Sequence, residues 1–322
     1  MGRPHVVLLG AGASLAACPT GDSRGRQLPL MSNLVDVVGL APLLEGSGVS
    51  YRQRNFEEVY SEICADDSLE NLRNQMEHLL FEYFADLKLP YKPTLYDHLV
   101  LCLRPKDVIA TFNWDPFLFQ AAARNRLVAE SPHLLFLHGN TAVGSCREHR
   151  IQGPAQGRCR ICNQQFEPSP LLYPVDHKNY SADPYIRSQW ELVHAALEDA
   201  YLFTIFGYSA PTSDADAVQL MKKAWGEPGV RNLEEIEIID RIGEDELRRR
   251  WKDFIHSHHY RTAKLFGESW TARHPRRTCE SMWRTLMEAE FLEDNSLPKG
   301  LDFPALWEWL KPLIAAETSD AQ

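Results

Sequence analysis

The stretch Val6-Val7-Leu8-Leu9-Gly10-Ala11-Gly12-Ala13-Ser14 decides the fold. His5 to Leu9 is a short apolar run that stops at a glycine, which reads as a buried strand entering a Gly-x-Gly turn. In open α/β sheets the first such junction is where a dinucleotide pyrophosphate sits. Glycines admit the phosphates to the backbone, and the following helix points its free N–H groups at them. Gly10, Ala11 and Gly12 would form that cradle, and Ser14 would add a hydroxyl donor. The third glycine of the dinucleotide fingerprint is missing, with Ser14-Leu15-Ala16 in its place, so a plain tight turn is the competing reading.

Outward from this turn, strand and helix patterns alternate. Leu69, Leu72, Met76, Leu79, Leu80, Tyr83 and Phe84 recur at spacings of three and four, which predicts a helix over 68–87. Further helices are expected over 94–103 and 115–125, with strands over 107–112 (DVIATF) and 134–137. After an irregular stretch, helix is expected over 186–197 and 214–225, and strand over 201–206 (YLFTIF) and 235–239 (EIEII). Everything beyond Gly243 reads as helical, and the final ETSDAQ as a frayed tail. Strands separated by helices predict an α/β fold: a Rossmann-like parallel sheet covered on both faces.

Composition agrees with a globular chain. Its 322 residues predict about two domains, and 44% hydrophobic with 24% charged residues exclude wholesale disorder and coiled-coil rods. A formal charge of −10 makes direct nucleic-acid binding an unattractive expectation. No apolar run is long enough for a membrane span, and MGRPHVVLLGAGAS lacks the apolar core and cleavage site of a signal peptide, so a cytoplasmic location is expected. Seven cysteines, an odd number, are no disulfide framework.

Two strand ends carry polar residues where this fold class binds ligands. The run 107–112 leads into Asn113-Trp114-Asp115, and 134–137 leads into His138-Gly139-Asn140. Asn113 can hold a water or a ribose hydroxyl, Asp115 can accept from a carboxamide, and His138 is a natural general base near neutral pH. Singly, each has a plainer role: Asp115 before Pro116 suits a helix start, and His-Gly suits a turn.

Between 142 and 168 apolar periodicity disappears. Cys146-x-x-His149 and Cys159-x-x-Cys162 form two knuckles at the spacing of a closed, tetrahedral Cys3His structural zinc site, and metal would supply the folding energy of an insert with no core. Cys18, Cys64, Cys102 and Cys279 remain as ordinary buried thiols.

In this order, G-A-G-x-S, N-x-D, H-G and a zinc module, the sequence resembles the sirtuin family over about residues 6–240. The resemblance implies that NAD is the substrate held by the Rossmann-like domain. Gly10, Ala11, Gly12 and Ser14 would line its phosphates, Asn113 and Asp115 would lie by the nicotinamide ribose and carboxamide, and His138 would be the catalytic histidine. Phe206-Gly207-Tyr208-Ser209 resembles a later turn on the adenosine side, and Asp240 would approach the adenine ribose. The organisation implied is 1–141, first part of the Rossmann-like domain; 142–168, zinc module; 169–243, its second part; 244–322, helical C-terminal region.

The sequence also departs from sirtuin deacylases. Phe112 stands for a glutamine, Trp114 for an aliphatic residue, Cys18-Pro19-Thr20-Gly21 for an acidic-aromatic-arginine run, and one histidine among the zinc ligands for a cysteine. The form T-F-N-W-D with F-L-H-G is more similar to bacterial sirtuin-like NAD hydrolases of anti-phage defence. That implies an NAD-depleting effector, with a homo-oligomer or a defence-system partner protein. An NAD-dependent protein deacylase and a non-catalytic NAD or ADP-ribose-binding module are the rival readings. Arg248-Arg249-Arg250 and His274-Pro275-Arg276-Arg277 read as solvated faces, with contacts to an anionic partner as the alternative, while Trp251, Trp270, Trp283, Trp307 and Trp309 are anchors for a core or a partner.

Overall fold

Val6 and Leu8 pack into one apolar cluster and Val7 and Leu9 into another, because successive strand side chains point to opposite faces. The strand is therefore buried on both sides, as its unbroken apolar run requires. The computed structural model describes residues 2–175, 179–227 and 229–319, with only the backbone of Thr212, Thr318 and Ser319.

Six parallel strands form the main sheet: β1 (His5–Leu9), β2 (Val108–Thr111), β3 (His133–Phe136), and, beyond the insert, β7 (Leu202–Phe206), β8 (Glu235–Ile239) and β9 (Tyr260–Ala263). The insert contributes β4 (Val143–Cys146), β5 (Ile151–Pro154) and β6 (Glu167–Pro168), an antiparallel sheet ordered β5-β4-β6. The main sheet runs β3-β2-β1-β7-β8-β9. Counted along the chain, that is the 3-2-1-4-5-6 order of doubly wound dinucleotide-binding sheets. The order reverses between β1 and β7, so the connections leaving these two strands run to opposite sides of the sheet, with a crevice at their carboxyl ends.

Helices cover both faces. Phe56–Cys64, Glu70–Ala85, Leu95–Cys102 and Phe117–Asn125 pack on the Val7/Leu9 side, and Pro184–Asp199 and Ala215–Trp225 on the Val6/Leu8 side. The α/β expectation holds, with one correction. The stretch beyond Gly243 is not all helical, because β9 completes the sheet. Its four residues are half-buried and carry Arg261 and Thr262, so no apolar run announces them. At the chain end the helix continues to Ser319, and residues 320–322 lie outside the described residues.

A buried polar network fastens this last segment to the sheet. The Thr204 and Thr271 hydroxyls donate to Glu237 Oε2 at 3.2 and 3.0 Å, the Trp270 N–H donates to Oε1, and Thr204 also contacts His5 Nε2 at 2.7 Å. Burial raises the Glu237 carboxyl and lowers His5 to about 3. His274 and Arg276 are also buried, correcting their reading as a solvated face: the Arg276 guanidinium donates to the Leu103 carbonyl and pairs with Glu317. Trp251 and Trp270 are core residues, and Trp283, Trp307 and Trp309 pack half-buried against the protein itself. Of the leftover cysteines, Cys18, Cys102 and Cys279 are buried and Cys64 is half-buried.

Candidate functional site

At the switch point lies a cavity of about 500 Å³. Gly10, Ala11, Gly12 and Ser14 line it from the β1 exit, Asn113 and Asp115 from the β2 exit, His138 from the β3 exit, and Gly207, Tyr208 and Ser209 from the β7 exit. The four strand ends thus bring together every catalytic and cofactor-binding residue the sequence suggested except one. Asp240 follows β8, accepts the Ile242 N–H at 3.1 Å, and is not part of the lining. Leu28, Met31, Leu34, Phe84 and Leu172 add apolar lining, and Asn55 and Glu57 polar lining.

The glycine turn is in place for a reason the motif did not suggest. A Cβ on Gly10 would lie 2.6 Å from the Gly207 oxygen, one on Gly12 would lie 2.9 Å from Gly207 Cα, and one on Gly207 would lie 2.4 Å from the Ala13 nitrogen. Gly207 also has φ +61°, in the left-handed region that favours glycine. The three glycines let the loops after β1 and β7 touch backbone to backbone. Gly10 N–H and Gly12 N–H are donated to the Phe206 and Gly207 carbonyls, each at 3.0 Å, so Gly12 does not aim a free donor at an anion.

Ser14 is also engaged within the protein. Its hydroxyl proton goes to Asp115 Oδ2 at 2.7 Å, and its oxygen accepts from Tyr96 OH at 2.7 Å and Asn113 Nδ2 at 2.9 Å. One donor and two lone pairs are thereby used up, which corrects the expectation of a free hydroxyl donor. Asn113 Nδ2 also donates to the Gly10 carbonyl at 2.9 Å. A carbonyl can only accept, so this bond fixes the amide orientation and leaves Oδ1 as an acceptor with no partner among the described residues.

Asp115 is buried and fulfils its plainer role as well: Oδ1 accepts the Phe117 N–H at 3.1 Å and starts the helix Phe117–Asn125. Burial pushes its carboxyl up to about 6, although the Ser14 and Phe117 bonds pull the other way. Asn140 ties the β2 and β3 exits together by donating to the Asp115 carbonyl at 2.7 Å.

His138 is buried against Phe112, ring centroids 4.6 Å apart, with Nε2 3.4 Å from Tyr180 OH and 3.8 Å from Asp214 Oδ1. Tyr208 stacks on Phe112 at 4.4 Å and donates its hydroxyl to Asp214 Oδ2 at 3.0 Å. Trp114 packs edge-on against Phe84 and Tyr173, and its buried indole N–H has no hydrogen-bond partner among the described residues.

Tyr96, Tyr180 and Asp214 belong to this site and were not singled out by sequence. Tyr96 sits in a helix whose apolar pattern looks like any core helix. Asp214, in Ser-Asp-Ala-Asp, looks like an ordinary helix start.

The zinc module forms as expected. The ligand atoms of Cys146, His149, Cys159 and Cys162 lie within 4.8 Å of one another. Cys146 Sγ is 3.7 Å from Cys162 Sγ and 3.5 Å from His149 Nδ1, and Cys159 Sγ is 3.7 Å from that nitrogen. Ideal Zn–S and Zn–N bonds in a tetrahedron require about 3.8 Å between sulfurs and about 3.6 Å from sulfur to nitrogen, so the set fits zinc. The knuckles repeat one geometry: Arg150 N–H donates to the Cys146 carbonyl and Asn163 N–H to the Cys159 carbonyl, both at 2.8 Å. Arg150 and Asn163 have φ +52° and +58°. Backbone N–H groups of Cys162 and Ile161 lower the Cys159 thiol to about 7, favouring the thiolate that metal requires. All four positions are filled by protein, so the site has no opening for catalysis.

No family model matches this chain, and no curated protein matches it either. Among solved structures it is similar to a Sir2 homolog–NAD complex at 15% identity, covering 89% of this chain and 90% of the other, with a TM-score of 0.41. A structure on sirtuin substrate affinity gives 15%, 89%, 95% and 0.41 in the same order. One on the mechanism and regulation of Sir2 enzymes gives 15%, 97%, 94% and 0.38. These superpositions are loose. The fold class, a doubly wound α/β sheet bearing a Cys3His module, rests on the strand order and ligand geometry above.

Proposed function

We propose that this protein is a sirtuin-like NAD hydrolase that cleaves the nicotinamide glycosidic bond. The observation that carries the reading is the convergence of Asn113 and His138, from the ends of two neighbouring strands, on one cavity at the switch point. NAD would lie across the glycine turn with its nicotinamide ribose between these two side chains. Asn113 Oδ1 orients a water and His138 takes its proton as the water oxygen bonds to the ribose anomeric carbon. The bond to nicotinamide breaks with its electron pair going to the ring nitrogen, giving neutral nicotinamide, ADP-ribose and one proton. Gly10, Ala11 and Gly12 serve as a close backbone floor rather than as a ring of donors, and Gly207, Tyr208 and Ser209 face the adenosine half. Asp115 keeps Ser14 and Asn113 in register and has acceptor capacity left for the carboxamide. Zinc holds the module beside the site and takes no part in the step.

Phe112 and Trp114 favour hydrolysis over the rival deacylase. Phe112 is wedged between His138 and Tyr208, and Trp114 fills the space against Phe84 and Tyr173. The biological role proposed is that of an NAD-depleting effector of bacterial defence in the cytoplasm, acting as a homo-oligomer or with a defence-system partner. It is supported by the T-F-N-W-D and F-L-H-G resemblance. Purified protein incubated with NAD alone should release nicotinamide and ADP-ribose, identified by mass, and His138→Ala should abolish release while the fold is retained. Undiminished release by His138→Ala would refute the assignment. Turnover only with an acylated peptide would establish the deacylase, and binding without turnover the non-catalytic module.

A further inference from the structure

We propose that Asp214 is a positioning residue for His138, completing a Tyr208–Asp214–His138 chain that joins the β7 and β3 exits. The role in turnover rests on the hydrolase reading; the pairing itself does not. Asp214 lies just before the helix Ala215–Trp225, on the opposite side of the switch point from β3, and its side chain and that of His138 are both buried. Asp214 Oδ1 faces His138 Nε2 at 3.8 Å, while Oδ2 is fixed by the Tyr208 hydroxyl at 3.0 Å. Tyr208 is held in turn by its stack on Phe112, whose ring edge meets the His138 imidazole. Each group therefore restrains the next, and the loop is closed by packing.

Chemistry gives the arrangement a purpose. When His138 takes the proton of the attacking water, a cation forms in a buried site. A carboxylate beside Nε2 balances that charge, and it also restricts which ring nitrogen carries the resting proton. Tyr180 OH, 3.4 Å from Nε2, is a second polar contact to the ring and carries no formal charge.

The test uses the full chain in three variants: Asp214→Asn, Asp214→Glu and Tyr208→Phe. Selective ¹⁵N-histidine labelling, with His138 assigned by its disappearance in His138→Ala, reads the imidazole without any substrate. Asp214→Asn is expected to move the His138 ring-nitrogen resonances. It should lower kcat for nicotinamide release about 100-fold while KM changes less than about threefold, the pattern of an orienting partner. Asp214→Glu should recover about tenfold of that loss. Tyr208→Phe, which keeps the stack and only frees Oδ2, should give a smaller loss of the same kind; it carries the test if Asp214→Asn does not fold. Unmoved resonances, or an equal loss in Asn and Glu variants seen as a raised KM, would overturn the proposal. Moved resonances in a wild-type protein that shows no NAD turnover would uphold the pairing and refute the hydrolase.

Discussion

Asp115→Asn should make the protein progressively more stable than the wild type as pH rises. The Asp115 carboxyl is lifted from 3.8 to about 6 by burial. Between those values the native state holds a proton that the unfolded chain has lost, so wild-type stability falls with rising pH. The full penalty is the shift of about 2.2 units at 1.36 kcal/mol each, about 3 kcal/mol above pH 6. From pH 5 to pH 7.5 the unfolded carboxyl is ionised throughout while the native one passes from mostly protonated to mostly ionised. Integration over that window gives a loss of about 1.4 kcal/mol. Asparagine is nearly isosteric, can accept the Phe117 N–H, and cannot ionise. Its rearranged bond to Ser14 adds a constant offset, and every other titrating group, zinc ligands included, cancels in the difference between the two proteins. Urea unfolding of both, without NAD, at half-unit steps should show the mutant-minus-wild-type difference climbing by about 1.4 kcal/mol. A difference flat to within about 0.5 kcal/mol would mean that Asp115 is ionised without penalty, and that the buried Ser14–Tyr96–Asn113–Asp115 cluster is misread.

Two other perturbations test the supports of the site. Gly207→Ala forces a Cβ against the Ala13 nitrogen at a left-handed φ and should cost about 3 kcal/mol or more, read as a lowered unfolding midpoint; a loss below about 1 kcal/mol would show that the two loops are not locked together. Metal analysis should find one zinc per chain, lost in Cys159→Ser. Chelation should expose the 143–168 segment to proteolysis and hydrogen exchange while the main sheet stays protected; unchanged exchange there would remove zinc from its structural role.

The strands β1, β2 and β7 were legible because they are short, largely apolar runs buried along their whole length, which leaves an unbroken signature; β3 and β8 showed through their Leu/Phe and Ile residues, while the order of the strands in the sheet was not read from the sequence. β9 lacks that signature: it is an edge strand with half-buried residues, and the segment that follows it is tied to β8 through Glu237. The zinc ligands were legible because a closed metal site needs fixed residue types at fixed local spacing, whereas Asp214 reaches the cavity, and Tyr96 reaches Ser14 and Asn113 behind it, through tertiary packing that no local spacing records. The glycine turn shows why a motif can mark the right place for an incomplete reason. Two loops leaving adjacent parallel strands on opposite sides of a switch point approach each other only if side chains are absent, so Gly10, Gly12 and Gly207 are required by the crevice itself. The N–H groups of Gly10 and Gly12 go to the Phe206 and Gly207 carbonyls and hold the crevice closed at its base. Specificity for what lies above it must then come from the side chains at its rim, Asn113, His138 and the Tyr208–Asp214 pair behind it, rather than from the backbone that the motif describes.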